Sequence, residues 1–255
     1  MNAEQIARAF IGRVEAELPG LVSRVHLTGS AGTGDWRAGR SDVDLVVVVA
    51  REITAEEAVA LRRLHASTRR DCIVDGVYLT AAQLAAGPDL ITSAPQSVDG
   101  RFATGVRGAQ LTWVTWLEVE AGHTLDGQPV GPLFSDTADR AARASRDNLS
   151  DYWGRLGRHS RRILLPLPGV VPVPAGAVAW VTLGPPRLVM TIEDGVIASK
   201  TDAGLFASAE WPEYSALIDR VLVYRATGTG RFTAADARAA LGLLRACIHR
   251  GTRYS

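Results

Sequence analysis

The sequence predicts an α/β (α+β) domain with a small mixed sheet, followed by an all-α helical-bundle domain. Strand-like runs occur only in the first half of the chain, at residues 21–29, 42–50 and 72–80. Through most of the second half, apolar residues recur at helical spacing. A turn-rich segment, GQPVGPLFSD, separates the halves. We therefore place the domains at residues 1–134 and 135–255.

The first half begins with an amphipathic helix whose apolar stripe consists of Ile6, Phe10, Ile11, Val14 and Leu18. Two strands follow, LVSRVHLTG and DVDLVVVVA, and the polar, Gly-rich segment SAGTGDWRAGRS connects them. This order of elements predicts two strands joined by a polar loop of the kind that often carries functional residues.

A second helix comes next. Thr54 and Glu57 have the spacing of a capping box, and Val59, Leu61 and Leu64 supply apolar positions. The third strand, CIVDGVYLT, closes this unit.

An irregular segment and a helix complete the first half. AAQLAAGPDLITSAPQSVDGRFATG has no clear period, and long irregular segments often carry binding loops. LTWVTWLEVEAGH is predicted as a helix, because Trp113, Trp116, Leu117 and Glu120 lie three or four residues apart. We expect both tryptophans in the core.

The second half is predicted to contain helices and no strand. One helical face consists of Leu149, Tyr152, Trp153 and Leu156. AGAVAWVTL and PPRLVMTIEDG form either one helix interrupted by prolines or two successive helices. EYSALIDRVLVYR is another candidate, and the last helix starts after Thr233 and stops at Gly251.

Composition excludes several classes of protein. The 255 residues carry a formal net charge of +1, which argues against bulk binding of nucleic acid or of an anionic membrane. The longest apolar run, LVVVVA, is too short to span a membrane, and the N-terminus lacks a signal pattern. We expect a cytoplasmic protein in which Cys72 and Cys247 are reduced and buried.

Of the 28 Lys and Arg residues, only Lys200 is a lysine. A lysine retained against such a bias can mark a site that needs a compact ammonium group, which a planar guanidinium cannot replace. The alternative is that Lys200 is a surface residue with no special role.

The segment that indicates chemistry is LTGSAGTGDWRAGRSDVDLVVVV. Alternation along a strand puts Asp42 and Asp44 on one face, where two close carboxylates suit Mg²⁺. Gly29 permits close approach of the backbone to a ligand, and Ser30 with successive amides can bind an anion. The pattern therefore supplies both parts of a metal–triphosphate site.

A third carboxylate, Asp75, stands within an apolar strand, where it is costly without a cation or a partner. We prefer it as the third metal ligand over Asp71, which lies at the strand's exposed start beside Arg69 and Arg70.

These residues resemble the signature of the nucleotidyltransferases related to DNA polymerase beta: Gly-Ser, a spacer, Asp-x-Asp and a later strand carboxylate. Within that superfamily the chain is most similar to the aminoglycoside adenylyltransferases that act on streptomycin and spectinomycin. The resemblance implies two Mg²⁺ ions held by Asp42, Asp44 and Asp75, with Asp75 also orienting or deprotonating the acceptor. It also implies ATP as co-substrate, in contact with Gly29, Ser30 and Ser41.

The helical half extends the resemblance. RLVMTIEDGVIASKTDAG is similar to a family motif in which an Arg and a Lys thirteen residues later bind the triphosphate, which implies that role for Arg187 and Lys200. Tyr224 resembles a nucleotide-contacting tyrosine of the family, although a core tyrosine is the alternative. The site is expected in the cleft between the two domains.

The implied reaction transfers AMP to a hydroxyl of a cationic, sugar-like aminoglycoside or aminocyclitol, releases pyrophosphate and confers antibiotic resistance. The family's acidic and histidine contacts to the drug are missing from VPVPAGAVAW, where Trp180 is either a stacking residue or a packed helix residue. Alternatives are another acceptor (small molecule, protein or RNA) and a catalytically silent nucleotide-binding module.

Other conspicuous residues are predicted to be structural. His26 and His123 fit no metal-ligand pattern, and the Arg-rich segments RRLHASTRR and RLGRHSRR are expected to be solvated helix faces.

Overall fold

The computed structural model of the chain describes residues 1–106, 108, 110–122, 124–128 and 130–253. Packing divides the backbone into two compact units, Met1–Thr137 and Ala138–Ser255. The independent domains at 1–134 and 135–255 stay a prediction.

The first unit combines a five-stranded sheet with helices. Its elements are α1 (Ala3–Glu17), β1 (Val22–Thr28), α2 (Gly29–Gly32), β2 (Val43–Val49), α3 (Ala55–Thr68), β3 (Val74–Thr80), α4 (Ala81–Ala86), β4 (Ala94–Val98), β5 (Arg101–Val106) and α5 (Trp113–Ala121).

The sheet has the order β1-β2-β3-β4-β5. Only β2 and β3 pair in parallel, and the other neighbours are antiparallel, so the sheet is mixed as predicted. All but one residue of β2 is buried. The core is formed by the sheet with Phe10 and Val14 of α1 and Leu61 and Leu64 of α3.

Strands β4 and β5 lie in the segment for which the sequence predicted no regular structure. Pro95 interrupts β4 at an irregularity of the β4–β5 register, which obscures the strand pattern. The turn between the strands is Asp99-Gly100, both with positive φ. An Asp-Gly pair is a strong hairpin signal, and it would have identified these strands.

Helix α3 begins with the predicted capping box: the Thr54 side chain accepts from the Glu57 amide, and the Glu57 carboxylate accepts from the Thr54 amide. The expectation that Val59 is an apolar contact is wrong, since 59% of it is exposed. The buried face instead follows Ala58, Leu61 and His65, and Val59 lies outside it.

The second unit is mainly helical. Its elements are α6 (Thr137–Asn148), a π-helical turn (Leu149–Trp153), α7 (Gly154–Leu164), β6 (Pro172–Val173), α8 (Ala175–Asp194), α9 (Lys200–Glu210), α10 (Ser215–Thr227), β7 (Phe232–Thr233) and α11 (Ala234–Gly251).

Two details of this unit differ from or refine the prediction. A short antiparallel pair, β6–β7, occurs where no strand was expected, because two-residue strands leave no periodicity to detect. Of the two alternatives for residues 175–194, the continuous helix is found, with Pro185 and Pro186 buried inside it. No helix among the described residues is long and apolar enough to cross a membrane.

The two cysteines are free thiols. Cys247 is buried as predicted, but Cys72 is only half-buried, because it lies just before β3 at the edge of the core.

Two buried histidines of the first unit should make stability depend on pH. Burial lowers the pKa of His26 from 6.5 to about 4. The positive charge of Arg24 also lowers this pKa, and the negative charge of Asp126 raises it. Burial also lowers the pKa of His65 to about 4, against hydrogen bonding to Val74 and the charge of Asp75. Below pH 6.5 the unfolded chain protonates both rings while the folded chain does not until about pH 4.

Stability should therefore fall as the pH drops from 7 to 5, by about 2 kcal/mol per histidine. Urea unfolding at the two pH values measures this difference, and His26→Leu should remove its share. The exposed histidine His159 supplies the control, because His159→Leu should leave the pH dependence unchanged. An equal free energy of unfolding at pH 7 and pH 5 would contradict the argument.

Candidate active site

The register of β1 and β2 brings the Gly-Ser turn against the Asp pair. Thr28, the last residue of β1, pairs with Asp44, and Gly29 follows with φ +56°. A Cβ atom built on Gly29 would lie 2.3 Å from Oδ2 of Asp44. Only glycine permits both this backbone conformation and this close approach.

The connection after the turn is held by its own hydrogen bonds. The Ser30 carbonyl accepts from the Asp35 amide at 3.0 Å, and buried Asp35 forms a salt bridge with Arg37 at 3.1 Å. The Ser41 hydroxyl accepts from the Arg37 amide at 3.1 Å, and the Ser41 amide donates back to the Arg37 carbonyl. Ser41 thus closes the loop immediately before Asp42, and its contact with a nucleotide stays a prediction.

The Asp pair lies at the start of β2. Asp42 is exposed just before the strand, and Asp44 is half-buried within it. Burial, followed by the negative charges of Asp42 and Asp44, raises the pKa of the Cys72 thiol.

Asp75 of β3 lies directly beside Asp44, since these residues pair in the parallel β2–β3 register. Its buried carboxylate accepts three hydrogen bonds: Oδ1 from the Ser97 hydroxyl (2.8 Å) and the Gly100 amide (2.9 Å), and Oδ2 from the Asp99 amide (2.6 Å). These donors belong to the β4–β5 hairpin, so Asp75 anchors that hairpin. A carboxylate can accept about four hydrogen bonds, which leaves Oδ2 a further lone pair.

The donor chemistry fits Mg²⁺, which proteins commonly hold with one or two carboxylates completed by phosphate oxygens. Asp42 and Asp44 provide such a pair. Within the described residues, no group of three or more His, Cys, Asp or Glu side chains is arranged to hold a metal on its own. Asp42, Asp44 and Asp75 are thus not arranged as a three-carboxylate metal site in this structure, and their joint binding of Mg²⁺ stays a prediction.

Arg187 lies on α8 of the second unit, and Lys200 is the first residue of α9. The Arg187 Nε donates to the Ala198 carbonyl at 2.8 Å, two residues before Lys200. Ser199 caps α9, which begins at Lys200, and the Thr191 hydroxyl holds the connection through the Val196 carbonyl. Both cations are half-buried. The Arg187 side chain thus reaches the segment that leads into Lys200, and their joint contact with a triphosphate stays a prediction.

Tyr224 lies on α10, where its ring packs edge-on against Phe232 with 5.9 Å between the centroids. The side chain is half-buried. This packing accounts for the tyrosine as a core residue, and its nucleotide contact stays a prediction.

Residues 7–75 match the family model of the nucleotidyltransferase domain. The match spans β1, the Gly-Ser turn, both carboxylates of the Asp pair and Asp75. It ends within β3, before the hairpin that Asp75 anchors.

The whole chain has the fold of a solved adenyltransferase. It superimposes on spectinomycin adenyltransferase AAD(9) from Enterococcus faecialis, determined with ATP and spectinomycin, with a TM-score of 0.61 over 99% of this chain and 100% of that one. The two sequences are 12% identical, so this likeness shows the fold. No curated protein sequence matches the chain significantly. The predicted resemblance to nucleotidyltransferases is confirmed in the domain family and in the fold.

The remaining conspicuous residues are mostly structural. Trp113 and Trp116 are buried, and Trp116 donates its indole N–H to the Leu84 carbonyl at 2.9 Å. His26 is buried on β1, whereas His123 lies outside the described residues. The arginines of both Arg-rich segments are exposed, as expected for solvated helix faces.

One aromatic group of the second unit remains accessible. Trp180 of α8 is 40% exposed, with its ring 4.6 Å from Trp153 and 6.1 Å from exposed Tyr152. Trp180 is therefore only partly packed, and the exposed part of its ring is accessible to a ligand. The sequence indicated Trp180, but it did not predict the partnership with Tyr152 and Trp153, since α8 and the π-helical turn are distant in the chain.

Proposed function

We propose that this protein is a Mg²⁺-dependent nucleotidyltransferase that moves AMP from ATP to a hydroxyl of an aminoglycoside or aminocyclitol and releases pyrophosphate. The observation that supports this proposal is the close approach of Gly29 to Asp44, because a turn of the kind that binds anions then lies beside a carboxylate of the kind that binds Mg²⁺. The family match over residues 7–75 supports the same conclusion.

The first unit would hold the metal and the phosphates. Asp42 and Asp44 are the proposed ligands of two Mg²⁺ ions, with Asp75 as a further ligand through Oδ2. When bound, the ions neutralise charge on the phosphates and polarise the reacting phosphorus. Gly29 and Ser30 would bind the β- and γ-phosphates through backbone amides and a hydroxyl.

The second unit would supply positive charge to the same nucleotide. Arg187 and Lys200 are the proposed partners of the triphosphate, where their fixed charges stabilise the leaving pyrophosphate. The hydrogen bond from Arg187 to the Ala198 carbonyl, two residues before Lys200, supports a joint role.

The proposed step is an in-line displacement. The acceptor oxygen forms a bond to the α-phosphorus, and the bond from that phosphorus to the oxygen bridging the β-phosphorus breaks, so pyrophosphate leaves with the electron pair. The one free lone pair of Asp75 Oδ2 would serve either the metal or the acceptor; where it faces the acceptor hydroxyl, Asp75 orients that hydroxyl and accepts its proton. Asp75 is suited to this role because its hydrogen bonds to the hairpin fix its carboxylate.

The acceptor is proposed to be a cationic sugar-like molecule. The protein of the same fold was solved with spectinomycin, an observation that concerns that protein and favours this class here. Trp180 and Tyr152 offer an aromatic surface on which a sugar ring or a cation can stack. In the cytoplasm, where ATP is available, such a reaction would confer antibiotic resistance.

The proposal is tested by pyrophosphate release from ATP and Mg²⁺ in the presence of spectinomycin, streptomycin and other aminoglycosides. Release that depends on one drug would establish the chemistry and the acceptor class. Release only with another small molecule, a protein or an RNA would support the proposed reaction but contradict the proposal that the acceptor is an antibiotic. Mg²⁺-dependent ATP binding with no release in any mixture would favour a silent nucleotide-binding module.

Replacement of Asp75 by Asn should affect both stability and activity. The amide nitrogen of Asn cannot accept the hydrogen bond from Asp99, so unfolding should become easier by about 1–3 kcal/mol. Activity per folded molecule should also fall by about tenfold or more, because a proton acceptor is lost. Asp71→Asn is the matched control, since Asp71 is exposed before β3. Full activity of folded Asp75→Asn protein, or loss in Asp71→Asn, would contradict the assignment.

A further inference from the structure

A groove of about 460 Å³ opens in the second unit between α7 and α11. Its apolar surface is provided by Leu165, Leu241, Leu244 and Ile248, and its rim carries arginines. None of the residues proposed to act on the nucleotide lines it. The volume falls within the range of about 300–1,000 Å³ that is typical of small-molecule sites.

The charge around the groove is entirely positive. Four arginines line it, and no Asp or Glu does. Arg238 has a structural task, since its guanidinium donates to the carbonyls of Leu164 and Leu167, both at 3.0 Å, at the end of α7. The remaining three, Arg158, Arg161 and Arg245, are exposed at the rim.

These three rim arginines differ from two arginines of the unit that form ion pairs. Arg250 pairs with Glu193 and Glu210, and Arg220 pairs with Asp236. Among the residues that the structure describes, none of the rim arginines forms a salt bridge. Arg158 and Arg161 are also three residues apart on one helix, where like charges destabilise each other. An anion seated among them would relieve this repulsion.

We propose that this groove binds a small organic anion with an apolar body. The apolar body would lie on Leu241, Leu244 and Ile248, and the acidic group would accept hydrogen bonds from Arg158, Arg161 and Arg245. A purely polar anion would leave the apolar surface exposed to water, and an apolar cation would meet three like charges. The site is independent of the proposed nucleotidyltransferase reaction.

The probe is laurate below its micelle concentration, titrated calorimetrically into the full-length protein. We expect saturable binding of one laurate per chain and a higher melting temperature with laurate present. Acetate, which has the same acidic group without the chain, should not bind detectably. Dodecyltrimethylammonium, which has the same chain and a positive group, should bind at least about tenfold more weakly.

The double variant Arg158→Gln, Arg245→Gln should weaken laurate binding by about tenfold or more. Its matched control is Arg155→Gln, Arg162→Gln, which removes two exposed charges from α7 that do not line the groove. This control should bind laurate like the parent protein, and circular dichroism verifies the fold of both. Equal binding by the two double variants, comparable binding of the cationic amphiphile or of acetate, or a melting temperature lowered by laurate would overturn the proposal.

Discussion

Replacement of Asp44 by Asn should lower the rate of nucleotidyl transfer by about 100-fold or more and leave the fold intact. The Asn side chain keeps the shape of Asp44 but loses the charge that attracts Mg²⁺, and metal ligands act as a unit in catalysis. Asp44 is half-buried and lies beside both Gly29 and Asp75, at the centre of the proposed site. The measurement is the rate of pyrophosphate release at saturating ATP and acceptor.

Asp219→Asn is the control for this substitution, because Asp219 is an exposed carboxylate on α10 outside the proposed site. It removes the same charge and should keep full activity. An Asp44→Asn protein that retains more than about a tenth of the parent activity, with an unchanged melting temperature, would argue strongly against a metal site at this position.

Replacement of Gly29 by Ala should lower activity by a similar factor, about 100-fold, through geometry rather than charge. The new methyl group would lie 2.3 Å from Oδ2 of Asp44, and the left-handed φ of +56° would add backbone strain. The turn or the carboxylate must then shift, and displacements of about 1 Å in an active site can cost about 100-fold in rate. Activity per folded molecule is the quantity to measure.

Gly34→Ala separates backbone strain from the close contact. Gly34 belongs to the same connection and has a φ of +71°, but nothing lies within 4 Å of a Cβ built there. Its substitution should cost about 1 kcal/mol of stability and little activity. Equal activity losses in the two variants would mean that backbone strain in the loop causes the loss. The close approach of Gly29 to Asp44 would then not be needed for the reaction.

The parts of the site that were predictable are the local ones. The Asp42-x-Asp44 pair precedes a nearly continuous apolar run, and that run is the buried strand β2. The Gly-Ser turn follows β1, so a hairpin-like β1–β2 pairing necessarily brings it near the pair. Short-range patterns of this kind are set by strand periodicity and turn chemistry.

The parts that were not predictable depend on contacts between distant segments. The apolar residues around Asp75 in the sequence indicate a special carboxylate, but Ser97, Asp99 and Gly100, which hold it, lie in a segment with no clear period. The hydrogen bond from Arg187 to Ala198 likewise depends on how the connection after α8 folds back. The spacing in the sequence indicates Arg187 and Lys200, but it does not predict the hydrogen bond that orients the Arg187 side chain.

The fate of labelled ATP tests the central claim most directly. The protein is incubated with Mg²⁺, spectinomycin and ATP labelled at either the α- or the γ-phosphorus, and the drug is separated and counted. We predict that the α label moves to the drug while the γ label leaves as pyrophosphate, and that Asp44→Asn abolishes both events. Transfer of the γ label to the drug would mean phosphoryl transfer and would contradict the proposed nucleotidyltransferase reaction.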